Sequence, residues 1–285
     1  VAEEFLADCQ RRNHTPATLS VYRSALLGPR TQTFLDDQAI ATIGEFTAAH
    51  LQIYEEELRQ AGLPVATVHQ YHRVLKTFLG FCERQDFSVD TRVAEVEGPK
   101  LAQVEPSTFT VEQERRLVAG ARSRRDKVLV EFMLKTGLRL SEVNSVEVDD
   151  IVDLGDRGAY IKVRQGKGRK DRHVPLDASM YRRLRLYVDR HRPTGCPALF
   201  PTTRGDGQPL TPQGLKALLV RLGKETGIHV HAHKFRHTFA SRAIAAGVDP
   251  IALQRVLGHT TLTMVSRYVH YSPTDLLDAW QLRRV

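Results

Sequence analysis

The chain has no run of eighteen apolar residues, although 41% of its 285 residues are hydrophobic. That excludes a helix able to span a bilayer. The N-terminus lacks a basic-then-apolar pattern, so no secretory signal is read there. Cysteine is scarce: Cys9, Cys82 and Cys196 lie far apart without CxxC spacing. This excludes a disulfide framework or a zinc knuckle, and a reducing compartment is the expectation. No internal repeat or low-complexity tract occurs. Together these absences predict a soluble, cytoplasmic protein with no membrane partner, long enough for one large domain or two ordinary ones.

Charge, by contrast, is abundant and uneven. The chain holds 41 Lys and Arg against 33 Asp and Glu, a net +8. Residues 1–97 carry 9 basic and 14 acidic residues, net −5, and the remainder carries 32 against 19, net +13. A basic half of that size points to a polyanionic partner, nucleic acid first among them. An ordinary basic face would read the same way, so charge alone does not decide.

The first hundred residues read as helices. "VAEEFLADCQRR", "TPATLSVYRSALL", "TAAHLQIYEEELRQAG" and "PVATVHQYHRVLKTFLGFCERQ" repeat apolar residues at three-to-four spacing. Thr15 and Thr47 look like N-caps, and Pro16 suits a first helical position. "VEGPKLAQVEPSTFT" has two prolines and little periodicity, which marks a linker. Beyond it Thr110 caps a helix with Gln113 at capping-box distance, and a helix over about 126–136 ends at Gly137. "AYIKVR" and "RHVPL" flank "QGKGRKD" as a β-hairpin. Helices resume from Asp177 to the end, the last being "SPTDLLDAWQLRR" with Ser272 as cap.

Several short stretches carry chemistry. In "TGLRLSEV", Arg139 follows a helix end with Glu142 three residues on; alone this is a surface ion pair of little energetic value. Lys167 sits between two glycines at the hairpin tip, where backbone can approach a phosphate closely, though most such tips are solvated turns. In "HAHKFRHTFA", His229, His231, His233 and His237 invite a zinc reading. It is discounted, because HExxH needs a Glu where Lys234 stands, and Lys234 and Arg236 would repel a divalent ion. His233 and Arg236 at a helix start suit an anion instead. "LGHTTLTMVSRYVHYS" holds His259 and then two tyrosines, Tyr268 and Tyr271, on one helical face. The residues alone leave the choice between them open, with Tyr271 the less constrained because Pro273 follows closely.

Taken in order, Arg139 in "TGLRLSE", Lys167 in "GKGRKDRHVPL", His233 and Arg236 in "HKFRH", His259 in "LGH" and Tyr268 in "RYVH" resemble the tyrosine recombinase (phage integrase) family, down to the nine-residue step from His259 to the tyrosine. The catalytic resemblance covers about residues 108–285, and residues 1–97 resemble the family's core-binding domain more loosely. Lys234 departs from the Asp that the family often has there. The length is similar to that of compact Xer-type members, without room for an arm-binding domain before residue 1. The resemblance implies a mainly α chain: a helical, SAM-like core-binding domain at 1–97, a linker at 98–107, and an α+β catalytic domain with a small antiparallel sheet at 108–285, closing with a helix at 273–283. The acidic N-terminal domain would then need a local DNA-binding face, for which Thr67, Gln70, Arg73 and Lys76 on one helix are the candidates.

What the resemblance implies chemically suits these residue types. A DNA phosphodiester is anionic and has a poor leaving group. Arg139 and Arg236 can hold its non-bridging oxygens by charge-assisted bonds that strengthen as charge develops. Tyr268 becomes the nucleophile, and Tyr271 does not. A phenol ordinarily titrates at about 10, so His233 is the candidate to move its proton. The product is a 3′-phosphotyrosine and a free 5′-hydroxyl, with Lys167 protonating the departing oxygen, Glu142 orienting Arg139 and His259 donating to the phosphate. No metal, cofactor or ATP is implied. The expected partners are double-stranded DNA with paired half-sites and further copies of the chain, four on two sites, serving integration, excision, resolution or transposition. A type IB-like topoisomerase shares the chemistry without strand transfer, and a DNA-binding regulator would lack the chemistry.

Overall fold

A computed structural model describes residues 1–102, 106–164, 171–202, 207–259 and 261–268. Lys167, Tyr271 and the helix expected at 273–283 lie outside them. The chain divides into two units, Val1–Val104 and Glu105–Val285.

Capping side chains set the helices of the first unit. Thr15 accepts from the Thr18 amide and Pro16 opens α2 (Pro16–Leu27), after α1 (Ala2–Arg11). Between α2 and the next helix expected from sequence stands α3 (Pro29–Asp37), which the pattern does not announce, because Gly28–Pro29 reads as a break. Gly28 instead closes α2 and starts α3, with Pro29 at a first helical position, where its missing amide has no helical partner to lose. Thr47 caps α4 (Ala48–Gln60), and α5 (Val65–Arg84) is the longest element. Phe34 of α3 packs on Tyr54 of α4 at 4.6 Å between ring centroids. The Tyr54 hydroxyl lies 2.8 Å from Thr31 Oγ1, and burial pushes its pKa up to about 12.

The candidate DNA face on α5 is only partly free. Gln70 and Arg73 are exposed and Thr67 is half-buried. Gln70 and Arg73 line an open cleft with Thr18 of α2. Lys76 departs from the expected role. Its Nζ donates to the carbonyls of Ala94 at 2.6 Å and Val96 at 3.0 Å, oxygens at the end of the short 3-10 helix Thr91–Glu95, where helical amides run out. His69 Nδ1, 3.1 Å from the Pro99 carbonyl, holds the same segment further along.

In the second unit Thr110 and Gln113 form the expected capping box on α6 (Val111–Gly120). Helix α7 (Arg124–Thr136) is capped by Ser123 and buries Leu129, Val130, Phe132 and Met133 completely. It stops at Gly137, whose φ of +59° is left-handed. A short α8 (Leu140–Ser145) leads to an antiparallel sheet of β1 (Ile151–Asp153), β2 (Ala159–Val163) and β3 (Arg172–Leu176) in that order. Ile161 pairs with Ile151 on one side and Val174 on the other, which fixes the buried face. β1 adds a strand to the expected hairpin; its three residues show no alternation to read. Then come α9 (Ala178–Arg190), α10 (Pro212–Thr226), α11 (Ala232–Ala245), α12 (Pro250–Leu257) and α13 (Thr263–Ser266). The helical stretch that leads to Tyr268 is thus a single turn within the described residues. It packs Val265 and Tyr268 into a small cluster with Ala240, Leu253 and Leu257, separate from the main core. Among the described residues no helix is long and apolar enough to cross a membrane.

Candidate active site

The site is organised around one helix end. The last carbonyls of an α-helix have no partner inside it and carry the negative end of its dipole. At the end of α12 three such oxygens each receive an arginine. Arg172 Nε donates to Val256 at 2.8 Å, Arg236 Nη2 to Leu257 at 2.6 Å, and Arg139 Nη2 to Gly258 at 2.8 Å. Arg236 Nη1 also donates to the Gly137 carbonyl at 3.0 Å, where α7 ends. Three distant segments (the start of α8, the start of β3 and the second turn of α11) are thereby tied to one point. Gly258 permits this: its φ is +65°, and a Cβ there would lie 3.1 Å from the Arg172 side chain.

Glu142 supplies the counter-charge. Its two oxygens accept from Arg172 Nη1 and Nη2, both at 2.8 Å, from Arg139 Nη1 at 2.9 Å, and from the Arg139 backbone amide at 2.7 Å. Burial on its own raises this carboxyl's pKa, but the Arg172 and Arg139 bonds overcome it and the pKa falls to about 2. The side chain is 8% exposed, so the value of about 0–1 kcal/mol for a surface pair does not apply. Removing one partner of a buried pair costs about 3–5 kcal/mol, because a charge is left unpaired. Three guanidiniums and one carboxylate leave a surplus of two positive charges. A surplus of that size suits an anion whose charge grows as it reacts, as a phosphodiester's does on the way to a phosphorane.

Arg236 is buried, at 3% exposure. Burial, then the neighbouring Arg139, lower its pKa to about 10, so it stays charged at neutral pH. His259 is half-buried beside the arginines, and burial followed by Arg236 and Arg139 lowers its pKa to about 4. Its Nδ1 is buried and has no partner among the described residues. A neutral imidazole with a free nitrogen against cationic neighbours fits a group that waits for an anionic ligand.

Tyr268 is buried at 6% exposure, and its hydroxyl lies 2.6 Å from His237 Nδ1. Burial raises the phenol's pKa, while Arg236 and Arg267 pull it down. His233 is exposed and no bond joins it to Tyr268; its ring stacks on His237 with centroids 6.2 Å apart. Lys234, the departure from the usual pattern, is buried with Nζ 4.6 Å above the Phe109 ring. It braces α11 and takes no part in the pocket. Among the described residues no three His, Cys, Asp or Glu side chains converge to hold a metal ion.

The phage integrase family model matches residues 107–274, more than half of the chain. The chain belongs to the phage integrase family. It is 28% identical over 275 residues to tyrosine recombinase XerC of Bacillus licheniformis, covering 92% of this chain and 88% of that one. To tyrosine recombinase XerD of Bifidobacterium longum it is 29% identical over 306 residues, covering 98% and 95%. Among solved structures, a lambda integrase tetramer bound to a Holliday junction shares the fold, with a TM-score of 0.75, 18% identity and coverage of 94% and 76%.

Of the expected integrase-type residues, the structure brings Arg139, Arg236, His259, Glu142 and Tyr268 into one pocket. Lys167 lies outside the described residues. Two further residues join the pocket without having been nominated by the motifs. Arg172 opens β3, whose alternation puts it in line with the buried Val174 and Leu176; an arginine on a strand's inward face is the signal that could have found it. His237 enters the sequence reading only as a zinc ligand. One turn on from His233, it shares that residue's face of α11, so the helical period is enough to nominate both.

Proposed function

We propose that the chain is a site-specific DNA recombinase that breaks a strand with Tyr268 and reseals it through a 3′-phosphotyrosine. Membership of the phage integrase family and the relatives named as tyrosine recombinases support DNA strand cleavage and religation as its activity. The observation that carries the residue assignment is the convergence of Arg139, Arg172 and Arg236 on the end of α12, beside the buried Tyr268.

In this reading Arg139 and Arg236 bind the non-bridging oxygens. Each guanidinium has five N–H donors, and two side-chain bonds hold each one in place, so the remaining donors serve the phosphate. His259 donates a further bond, and Lys167 protonates the departing 5′ oxygen. The phosphotyrosine conserves the energy of the broken bond, and no ATP is needed. The first unit grips DNA through Gln70 and Arg73, with Thr67 at the edge. Paired half-sites, a tetramer on DNA and a linking role for the tail at 273–283 belong to the same proposal.

Incubating the protein with two distinguishable duplexes that carry its paired half-sites tests this. Strand exchange between them, persisting in EDTA, is the expected result. Relaxation of supercoils without exchange would make the chain a topoisomerase. Cleavage lost in EDTA and restored by zinc would replace the arginine pocket with a metal site.

A further inference from the structure

Tyr268 has an unusual dependence on one neighbour. A buried hydroxyl needs an acceptor for its proton. The charged groups around it, Arg236 and Arg267, are donors only. Among the described residues the acceptor found for it is His237 Nδ1, at 2.6 Å. The two rings lie 5.7 Å apart between centroids, and His233 stacks against the His237 ring at an interplanar angle of 29°. His237 is therefore fixed from α11 on one side and meets the α13 segment on the other.

We propose that His237 is a further catalytic residue of this site: its Nδ1 receives the proton of Tyr268 Oη as that oxygen attacks phosphorus. The proposal rests on the recombinase reading and replaces His233 as the acceptor. The Oη–H bond breaks and the Oη–P bond forms. The P–O5′ bond breaks, and the 5′ oxygen takes its proton from Lys167. On resealing, the 5′-hydroxyl attacks, the phenolate leaves, and His237 returns the proton to it.

The surroundings make this transfer depend on DNA. Burial, then His233, His231, Arg236 and Arg267, lower the His237 pKa to about 4, so the free protein holds a neutral ring. Such a ring accepts a hydrogen bond but takes no proton from an intact phenol, whose affinity for it is far higher. A phosphate in the arginine pocket opposes the cationic neighbours and raises the proton affinity of His237. Bond formation to phosphorus at the same time makes the phenolic proton strongly acidic. His233, exposed on the same face, then acts as a positioning residue for the His237 ring.

The experiment is single-turnover attachment to a nicked suicide duplex between pH 5.5 and 10, with half-site binding and thermal melting measured on the same samples. His237→Ala should bind the half-site within about twofold of the original chain. It should attach about 10²-fold or more slowly at pH 7 and recover by about tenfold per pH unit as hydroxide replaces the lost base. His237→Asn keeps a hydrogen-bonding group near Nδ1 but cannot take a proton; it should melt like the original chain and show the same pH slope. Asn at the original rate, or a slowing independent of pH in both variants, would overturn the assignment. A His237→Ala chain that no longer melts cooperatively leaves the Asn variant to decide. If the unaltered chain forms no adduct at any pH, the recombinase reading itself fails, which is a separate outcome.

Discussion

Arg172 meets Glu142 end-on, each terminal nitrogen 2.8 Å from its own carboxylate oxygen. The pair is buried, and its third arm is the Arg172 Nε bond to the end of α12. Arg172→Ala is therefore expected to lower the stability of the second unit by about 3–5 kcal/mol, read as a fall in urea midpoint. Arg172→Lys should recover little, because an ammonium cannot reproduce the planar fork. A stability within about 0.5 kcal/mol of the original would show that Arg139 alone satisfies Glu142.

Gly258 offers a subtler perturbation. A left-handed non-glycine residue costs roughly 1–2 kcal/mol, and the new Cβ would press on Arg172 at 3.1 Å. Gly258→Ala should lower Tm modestly and slow adduct formation more than it weakens half-site binding, since three arginines register on this helix end. Equal loss of binding and rate would point to general unfolding.

Much of this pocket is legible in the amino-acid sequence. Arg139, Arg236 and His259 stand in motifs whose order and spacing mark them, and caps such as Thr47 and Thr110 are local chemistry. Contact between distant segments is what the sequence hides. Nothing in "RHVPL" says that Arg172 reaches a carboxylate thirty residues earlier, and nothing near Lys76 says that it turns to the carbonyls of Ala94 and Val96. The proposed role of His237 in place of His233 turns on the helical phase of α11 relative to Tyr268, which packs in the small cluster around Leu253 and Leu257. The unannounced α3 has a different cause: Gly28–Pro29 ends one helix and starts another, and the dipeptide alone does not distinguish that from a loop.

Acid should destabilise the second unit in two steps. His237 and His259 have folded pKa values lowered to about 4 from the usual 6.5. The unfolded chain takes up their protons first, so stability present above pH 6.5 is lost as pH falls toward 4. Glu142, lowered to about 2 from 4.5, contributes stability that is complete above pH 4.5 and lost as pH falls toward 2. Thermal melts should show a declining Tm from pH 7 to 4.5, shallower in a His237→Asn, His259→Asn double variant. An identical slope in the double variant would show that the two histidines do not contribute to the acid sensitivity.

Lys167 carries a role proposed from sequence alone. A substrate with sulfur at the bridging position releases a thiolate, whose conjugate acid has a pKa of about 8.5, and needs no proton donor. Lys167→Ala should therefore recover on the sulfur substrate, whereas Arg236→Ala and His237→Ala should not, since their defects lie on the phosphate and the nucleophile. Equal defects for Lys167→Ala on both substrates would assign it to binding.

On the proposed mechanism the phenol held by His237 beside the arginine pocket is the group that attacks DNA. Trapping the chain on a nicked suicide duplex, digesting it and mapping the nucleotide-bearing peptide by mass spectrometry tests this most directly. The expected result is an adduct on Tyr268, abolished by Tyr268→Phe with half-site binding intact and retained by Tyr271→Phe. An adduct on Tyr271, or one that survives Tyr268→Phe, would contradict it.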